Sequence, residues 1–183
     1  MNVLAKPRMT VDQYLAWAER NPGRYELHRG KIAVAAPQMV GHATTKGLVY
    51  AALRAAIRQR PVPCHALLNG LAVRIDESTA YEPDALVYCG EKVAPTAVEV
   101  PNPVIVVEVA SPSTAQFDAS IKLAGYFRLP TVAHYLIVDP MQPLVVHHSR
   151  GSGDTILTHI VTEGVLALDP PGLQLEVNDI YSA

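Results

Sequence analysis

Apolar residues recur along this chain with two periods, and the places where one period gives way to the other mark its elements. Val11, Tyr14, Leu15 and Ala18 return at helical spacing behind Thr10 and Gln13, a capping-box pair. "NPG" ends that run, which predicts a first helix over 11–20. "RYELHRGKIAVAAP" then reads as two short strands around Arg29 and Gly30, a hairpin whose tip carries Arg29 and Lys31. The longest helical pattern covers 43–60. Val49, Leu53, Ala56 and Ile57 form its apolar stripe, and Lys46, Tyr50, Arg54 and Arg58 form an adjacent one at i+4 steps.

Beyond "PVP", the stretch "CHALLNGLAVRID" reads as two strands around Asn69–Gly70, and "PDALVYCG" as a strand opened by Pro83. "VIVVEVASPST" is the next strand. Ser113 and Gln116 repeat the capping-box spacing ahead of a helix over 117–128, and "VAHYLIVDP" and "LVVHHS" form strands about a Pro-bounded turn. A weaker strand starts near Thr155, and "PGLQLEVNDIYS" alternates as a final edge strand followed by a helical turn. Strand, helix, strand across 104–138 is a crossover unit. The fold class is therefore α/β, a central parallel or mixed sheet with helices on its faces.

A chain of 183 residues, 49% hydrophobic, suits one domain over 1–183 with its own core. Fifteen Lys and Arg against seventeen Asp and Glu provide no global field that draws the chain to nucleic acid or to an anionic membrane, so any such contact must be local. Cys64 and Cys89 lie too far apart for a metal knuckle and are too few for a disulfide framework, which predicts reduced thiols in a cytoplasmic protein. "MNVLAKPRMT" lacks an apolar signal core and no apolar run approaches a membrane span, so no membrane partner is expected.

Against this background Glu108 is out of place, because it stands in a run of four valines and an isoleucine over 104–109. Alternation puts it on one face with Val104 and Val106, near the carboxyl end of the strand. A carboxylate in apolar surroundings costs several kcal/mol, on the order of the penalties known for buried charge, unless a cation or donors face it. It either turns to solvent, pairs with one Lys or Arg, or belongs to a site. Asp84 favours a site: it opens a second strand and shares a face with Leu86 and Tyr88. Two carboxylates on neighbouring rigid strands suit a hard cation such as Mg²⁺, which takes one or two carboxylates plus waters and substrate oxygens. Zinc is disfavoured, since the seven histidines are scattered, no HExxH occurs, and His147 and His148 point to opposite faces of a strand.

"PD" followed by "VVEVASPST" is similar to the PD-(D/E)XK nuclease superfamily. More narrowly, "YELHRGKI", a His before a long helix, "EPDALV", "VVEVASPST", a D-x-x-x-K-x-x-x-Y helix and "HYLIVD", in that order, resemble the Uma-two family of restriction-endonuclease-like proteins, from "MTVDQYL" to "PGLQLEVNDIY". The resemblance implies a restriction-endonuclease-like fold with an added N-terminal helix and hairpin. It also implies hydrolysis of nucleic-acid phosphodiesters, with DNA the expected substrate, Mg²⁺ or Mn²⁺ as cofactor, and a homodimer. One position departs from the superfamily pattern: two residues after Glu108, where a lysine is expected, stands Ala110. In the resembled family that lysine has moved to the following helix, which assigns its role to Lys122, on one helix face with Asp118 and Tyr126. Spacing alone equally allows an exposed Asp118–Lys122 pair.

On this reading the catalytic set is Glu26, Asp84, Glu108 and Lys122, and Asp84, Glu108 and the Val109 carbonyl hold the metal. Glu26 matches the family's amino-terminal glutamate and His42 matches a position ahead of the long helix that contacts phosphate or caps the helix. Lys46 and Arg54, with Arg58, are candidate phosphate contacts, although a solvated helix face is the simpler account of that stripe. Glu82 is a further carboxylate beside Asp84. The rival class is a nuclease fold without turnover that serves as a binding module. A serine hydrolase or phosphate-binding loop is discounted, because no GxSxG occurs and "GHATTKG" has its lysine before the second glycine.

Overall fold

The computed structural model describes residues 8–35, 37–110 and 117–181. Helix α1, Val11–Ala18, starts at the expected capping box: the Thr10 side chain accepts from the Gln13 N–H and the Gln13 side chain accepts from the Thr10 N–H. Strands β1, Tyr25–His28, and β2, Lys31–Val34, follow as an antiparallel hairpin closed by the His28–Lys31 pair. Its two-residue loop has positive φ at both Arg29 (49°) and Gly30 (75°), the conformation that matches strand twist in tight hairpins. Helix α2, Val40–Arg58, is the long helix, and it starts three residues before the sequence predicts. Val49 and Leu53 on its stripe are wholly buried, each contributing about 1.5–3 kcal/mol of burial.

The chain continues through β3 (Cys64–Leu68), β4 (Val73–Asp76), β5 (Thr79–Tyr81), β6 (Ala85–Cys89) and β7 (Pro103–Val109). Helix α3 (Phe117–Tyr126) leads to β8 (His134–Val138), β9 (Val145–Arg150), β10 (Ile156–Val161), β11 (Val165–Leu168), β12 (Leu173–Glu176) and α4 (Val177–Tyr181). Six strands form the central sheet in the order β10-β9-β8-β7-β6-β3, and a second sheet runs β2-β1-β5-β4. The crossover through α3 makes β7 and β8 parallel, while the other pairs of the central sheet are antiparallel, so the sheet is mixed as expected. Helices α2 and α4 with the β11–β12 ribbon cover one face through Val49, Leu53, Leu166, Leu173 and Ile180. Helix α3 and strands β4 and β5 cover the other, where Tyr81, Tyr126 and Tyr135 pack around Leu86 and Val106. Helix α1 packs on the smaller sheet through Val11, Tyr14 and Leu27.

Three expectations change. β3 and β4 are strands, but not a hairpin: β3 pairs with β6 in the central sheet and β4 with β5 in the smaller one, so Asn69–Gly70 is a crossing between sheets. The register of β3 against β6 sets Cys64 directly opposite Cys89, and the two form a disulfide rather than free thiols. The cysteines therefore lend no support to a reducing compartment. β5 and β11 escape the periodicity because a run of three or four residues is too short to show one. Ser113 and Gln116, the second capping box, lie outside the described residues, and no helix of the described residues is long and apolar enough to cross a membrane.

A histidine pair occupies the far end of the central sheet. His134 Nε2 donates to the Pro170 carbonyl at 3.0 Å, which leaves Nδ1 to accept from His147 Nε2 at 2.9 Å. Burial, and then the neighbouring His134, His159 and His148, push His147 down to about 4 from an ordinary 6.5. The unfolded chain thus takes up this proton at higher pH than the native state, so the stability from neutral His147 is complete above 6.5 and is lost as pH falls toward 4. His147→Gln keeps a donor toward His134 but does not titrate. Relative to that variant, the wild type should lose about 2 kcal/mol between pH 7 and pH 5, read from urea denaturation at each pH; parallel stability profiles would refute the assignment.

Candidate active site

The central strands end where three other elements meet them: β1 of the small sheet, the N-terminal half of α2, and α3. Asp84 sits immediately before β6, where its N–H donates to the Val107 carbonyl at 3.0 Å and its Oδ2 accepts from the Val109 N–H at 2.8 Å. The carboxylate is thereby fixed against the end of β7. It is 4% exposed, and its charge is met by three groups: Lys46 Nζ on Oδ1, Arg24 Nη2 at 3.5 Å, and His42 Nε2 at 3.8 Å from Oδ2. His42 Nε2 also lies 2.9 Å from the Val109 carbonyl, which can only accept, so Nε2 carries the proton. His42 Nδ1 is buried with no hydrogen-bond partner among the described residues.

Glu108, one residue before the end of β7, turns to the α3 face. Its Oε1 accepts from Lys122 Nζ at 2.9 Å and from the Tyr126 hydroxyl at 2.8 Å, two donors one helical turn apart on α3. Lys122 Nζ also donates to Glu26 Oε1 at 2.8 Å, and the Glu82 N–H donates to the same oxygen at 3.0 Å. Lys122 thus bridges the two sheets. It lies 5.7 Å from the Tyr81 ring centroid, and that ring is pressed so closely on α3 that a Cβ at Gly125 would come within 2.6 Å of it.

The electrostatics follow from this crowding. Burial pushes the Glu108 carboxyl up to about 7, with Glu26 and Asp84 acting in the same direction and Lys122 opposing them. Burial alone would pull the Lys122 ammonium down, but the charges of Glu108 and Glu26 outweigh it and hold the pKa well above the ordinary value. Burial, and then Glu108, raise Tyr126 well above the usual phenol range, so it stays a donor. Glu82 is also raised, first by burial, with Arg24 pulling the other way from 3.7 Å.

Five of the residues singled out from the sequence therefore meet in one cluster around the β7 end: Glu26, Asp84, Glu108, Lys122 and His42. Lys46 joins them, 3% exposed, which corrects the reading of its stripe as a uniformly solvated face. The stripe divides along the helix: Lys46 is buried at Asp84, while Arg54 and Arg58 are exposed and Arg54 lies 5.6 Å over the Tyr50 ring, away from the cluster. Lys122 is not a surface residue: its amine is buried between Glu26 and Glu108, and the Asp118 side chain lies outside the described residues. Sequence reading missed Arg24 and gave Tyr126 no role; the i+4 step from Lys122 was the available signal for Tyr126.

The candidate ligand atoms, the carboxylates of Asp84 and Glu108 and the Val109 carbonyl, are all oxygen, which suits Mg²⁺ or Mn²⁺ rather than a softer metal. Among the described residues no three of His, Cys, Asp and Glu converge as a ligand set. An ion here would rest on Asp84, Glu108 and the second lone pair of the Val109 carbonyl, with waters and substrate oxygens completing its shell.

An α/β fold with a mixed sheet, and a strand-end cluster of acids bridged by a lysine from the following helix, define a restriction-endonuclease-like class of protein. The chain belongs to the Uma2 family, described as "Putative restriction endonuclease", whose pattern matches residues 11–179. It is 25% identical over 185 residues to the uncharacterized protein slr1290 of Synechocystis, covering 96% of this chain and 92% of that one. A second Synechocystis protein, the uncharacterized sll1609, is 26% identical over 159 residues, covering 85% and 89%. The fold matches the crystal structure of a "putative nuclease belonging to DUF820" from Anabaena variabilis with a TM-score of 0.72 at 16% identity, covering 95% of this chain and 98% of the other.

The Lys122 bridge has a direct test. Lys122→Met leaves Glu108 and Glu26 buried without their shared cation and should cost about 3–5 kcal/mol in urea denaturation. Adding Glu108→Gln should restore part of that loss. Equal midpoints for the single and double variants would show that Lys122 does not compensate Glu108.

Proposed function

We propose that this protein is a metal-dependent endonuclease that hydrolyses nucleic-acid phosphodiesters, with DNA as the expected substrate. The observation that carries the reading is the Lys122 bridge from α3 to Glu108 and Glu26, beside Asp84. It supplies from a helix the ammonium that Ala110 cannot supply from the strand.

Asp84 and Glu108, with the Val109 carbonyl, would hold Mg²⁺ or Mn²⁺; when bound, the ion supplies charge for the phosphoryl oxygens and lowers the pKa of water. Lys122 orients the attacking water and offsets charge developing on the phosphate, a pre-set electrostatic contribution that costs no reorganisation. Glu26 fixes the Lys122 amine and is placed to accept a proton. Tyr126 holds Glu108 in one orientation from the other side. Lys46 meets the phosphate next to the cut, while His42 Nδ1, an acceptor in this tautomer, takes a hydrogen bond from a substrate hydroxyl or from water. The near-neutral overall charge predicts weak non-specific affinity, with a salt dependence set by the few phosphates that local cations contact.

One observation favours a second reading, a nuclease fold that binds without cutting: Lys46 and Lys122 already neutralise Asp84 and Glu108. The homodimer remains part of the proposal, supported by the exposed edge strand β10 with Leu157 51% and Ile160 70% exposed.

Purified protein incubated at low salt with plasmid or single-stranded DNA and Mn²⁺ or Mg²⁺ should cleave, and Asp84→Ala and Glu108→Ala should each reduce the rate by at least a hundredfold. Lys122→Ala should do the same. Equal cleavage by wild type and the carboxylate variants would mean a contaminating nuclease. Binding of DNA without cleavage by any form would favour the non-cutting reading.

A further inference from the structure

Between the C-terminal half of α2, the outer edge of β3 and the loop at 92–97 lies a cavity of about 530 Å³, none of whose lining residues belongs to the Asp84–Lys122 cluster. Its size is that of small-molecule sites, which run from roughly 300 to 1,000 Å³. Arg54, Arg58 and Lys92 line it, together with Tyr50, His65 and Tyr88, and no Asp or Glu stands among its described lining residues. In a chain with more acidic than basic residues, seventeen against fifteen, such a wall is not the background composition. The three cations are exposed, and none of them is ion-paired to an acid among the described residues.

The aromatic groups are held in place. The Arg54 guanidinium lies over the Tyr50 ring at 5.6 Å, which presents a flat cationic face, a geometry that both phosphate and a stacked base accept. His65 packs on Tyr88 at 5.1 Å, and the Tyr88 hydroxyl accepts from the Val93 N–H at 3.2 Å, tying the loop to β6. The Cys64–Cys89 disulfide fastens the same end of β3 to β6. The wall is thus stiff, cationic at its mouth and aromatic along its side, which matches a ligand with anionic groups on a flat aromatic body.

We propose that this cavity binds a nucleoside-phosphate unit, its phosphate on Arg54, Arg58 and Lys92 and its base against Tyr50 and His65. A free nucleotide and one residue of a nucleic-acid strand offer the same chemistry. Lys46, Tyr50, Arg54 and Arg58 succeed one another about 6 Å apart along α2, so a strand engaged at Asp84 has a basic track leading to the cavity. That last point rests on the nuclease reading; the binding itself does not.

The test uses the full chain in EDTA at low salt, with AMP and inorganic phosphate followed by calorimetry and a fluorescent thymidine hexanucleotide by anisotropy. The hexanucleotide should bind the wild type, and Arg54→Gln/Arg58→Gln should weaken it at least tenfold. Its logarithmic salt dependence should become shallower by about 0.7 per lost phosphate contact. Tyr50→Leu should weaken AMP severalfold without changing inorganic phosphate. AMP that displaces the hexanucleotide identifies a free nucleotide as a ligand too; a hexanucleotide that AMP does not displace assigns the cavity to the strand. Glu163→Gln, an exposed substitution outside the cavity lining, should bind as the wild type does. Unchanged affinity in the arginine double variant, with an unchanged melting temperature, would overturn the proposal, as would phosphate binding as tightly as AMP. Binding lost in Asp84→Ala but not in the arginine variant would overturn it while leaving the nuclease reading intact.

Discussion

The ammonium of Lys122 is the point on which the site geometry depends. Glu26 belongs to the small sheet and Glu108 to the central one, and these sheets share no strand pairing. Their carboxylates come together only because one buried cation lies 2.8 Å from the first and 2.9 Å from the second. Without it, two anions would face each other where water is scarce, and the aromatic packing of Tyr81 against Tyr126 would have to hold the sheets against that repulsion. With it, the charge that disfavours burial becomes the bond between layers. The high pKa of Lys122 and the raised pKa of Glu108 are two signs of the same arrangement: the amine keeps its proton, and the carboxyl sits near the balance point.

Helix α2 extends this logic along its length. Its apolar stripe seats it on the central sheet, and its polar stripe therefore runs from a buried end to an open one. Lys46 pairs with Asp84 inside, whereas Arg54 and Arg58 stand over the cavity beside β3. Residues of one chemical type, spaced alike, are thus set to different tasks by where the helix crosses the strand ends. The small sheet contributes in a comparable way, since β1 brings Glu26 and the preceding Arg24 to the same place from the other side.

Much of this was legible. Asp84 and Glu108 announce themselves because a carboxylate among valines or at a strand start needs a partner, and β7 behaves as its alternation requires. The capping box, the hairpin turn and the crossover through α3 are local features and read correctly. Lys122 was reached only through a family pattern, since its i+4 neighbours allow a surface pair as readily as a site. Lys46 looked like Arg54, and nothing in the spacing separates them. Arg24 carries no local signal, because its partners Glu82 and Asp84 arrive through a different strand. The same is true of Cys64 and Cys89, which face each other only once β3 pairs with β6.

The amino-acid sequence by itself determined most of the elements, their class and the two carboxylates at the strand ends, because hydrophobic period, caps and turns are set by neighbours along the chain. The tertiary structure alone decided which sheet each strand joined, which end of α2 was buried and which cation faced which acid. Those outcomes depend on register and crossing angle between segments far apart in sequence, where a few ångströms separate a solvated lysine from one that holds two sheets together.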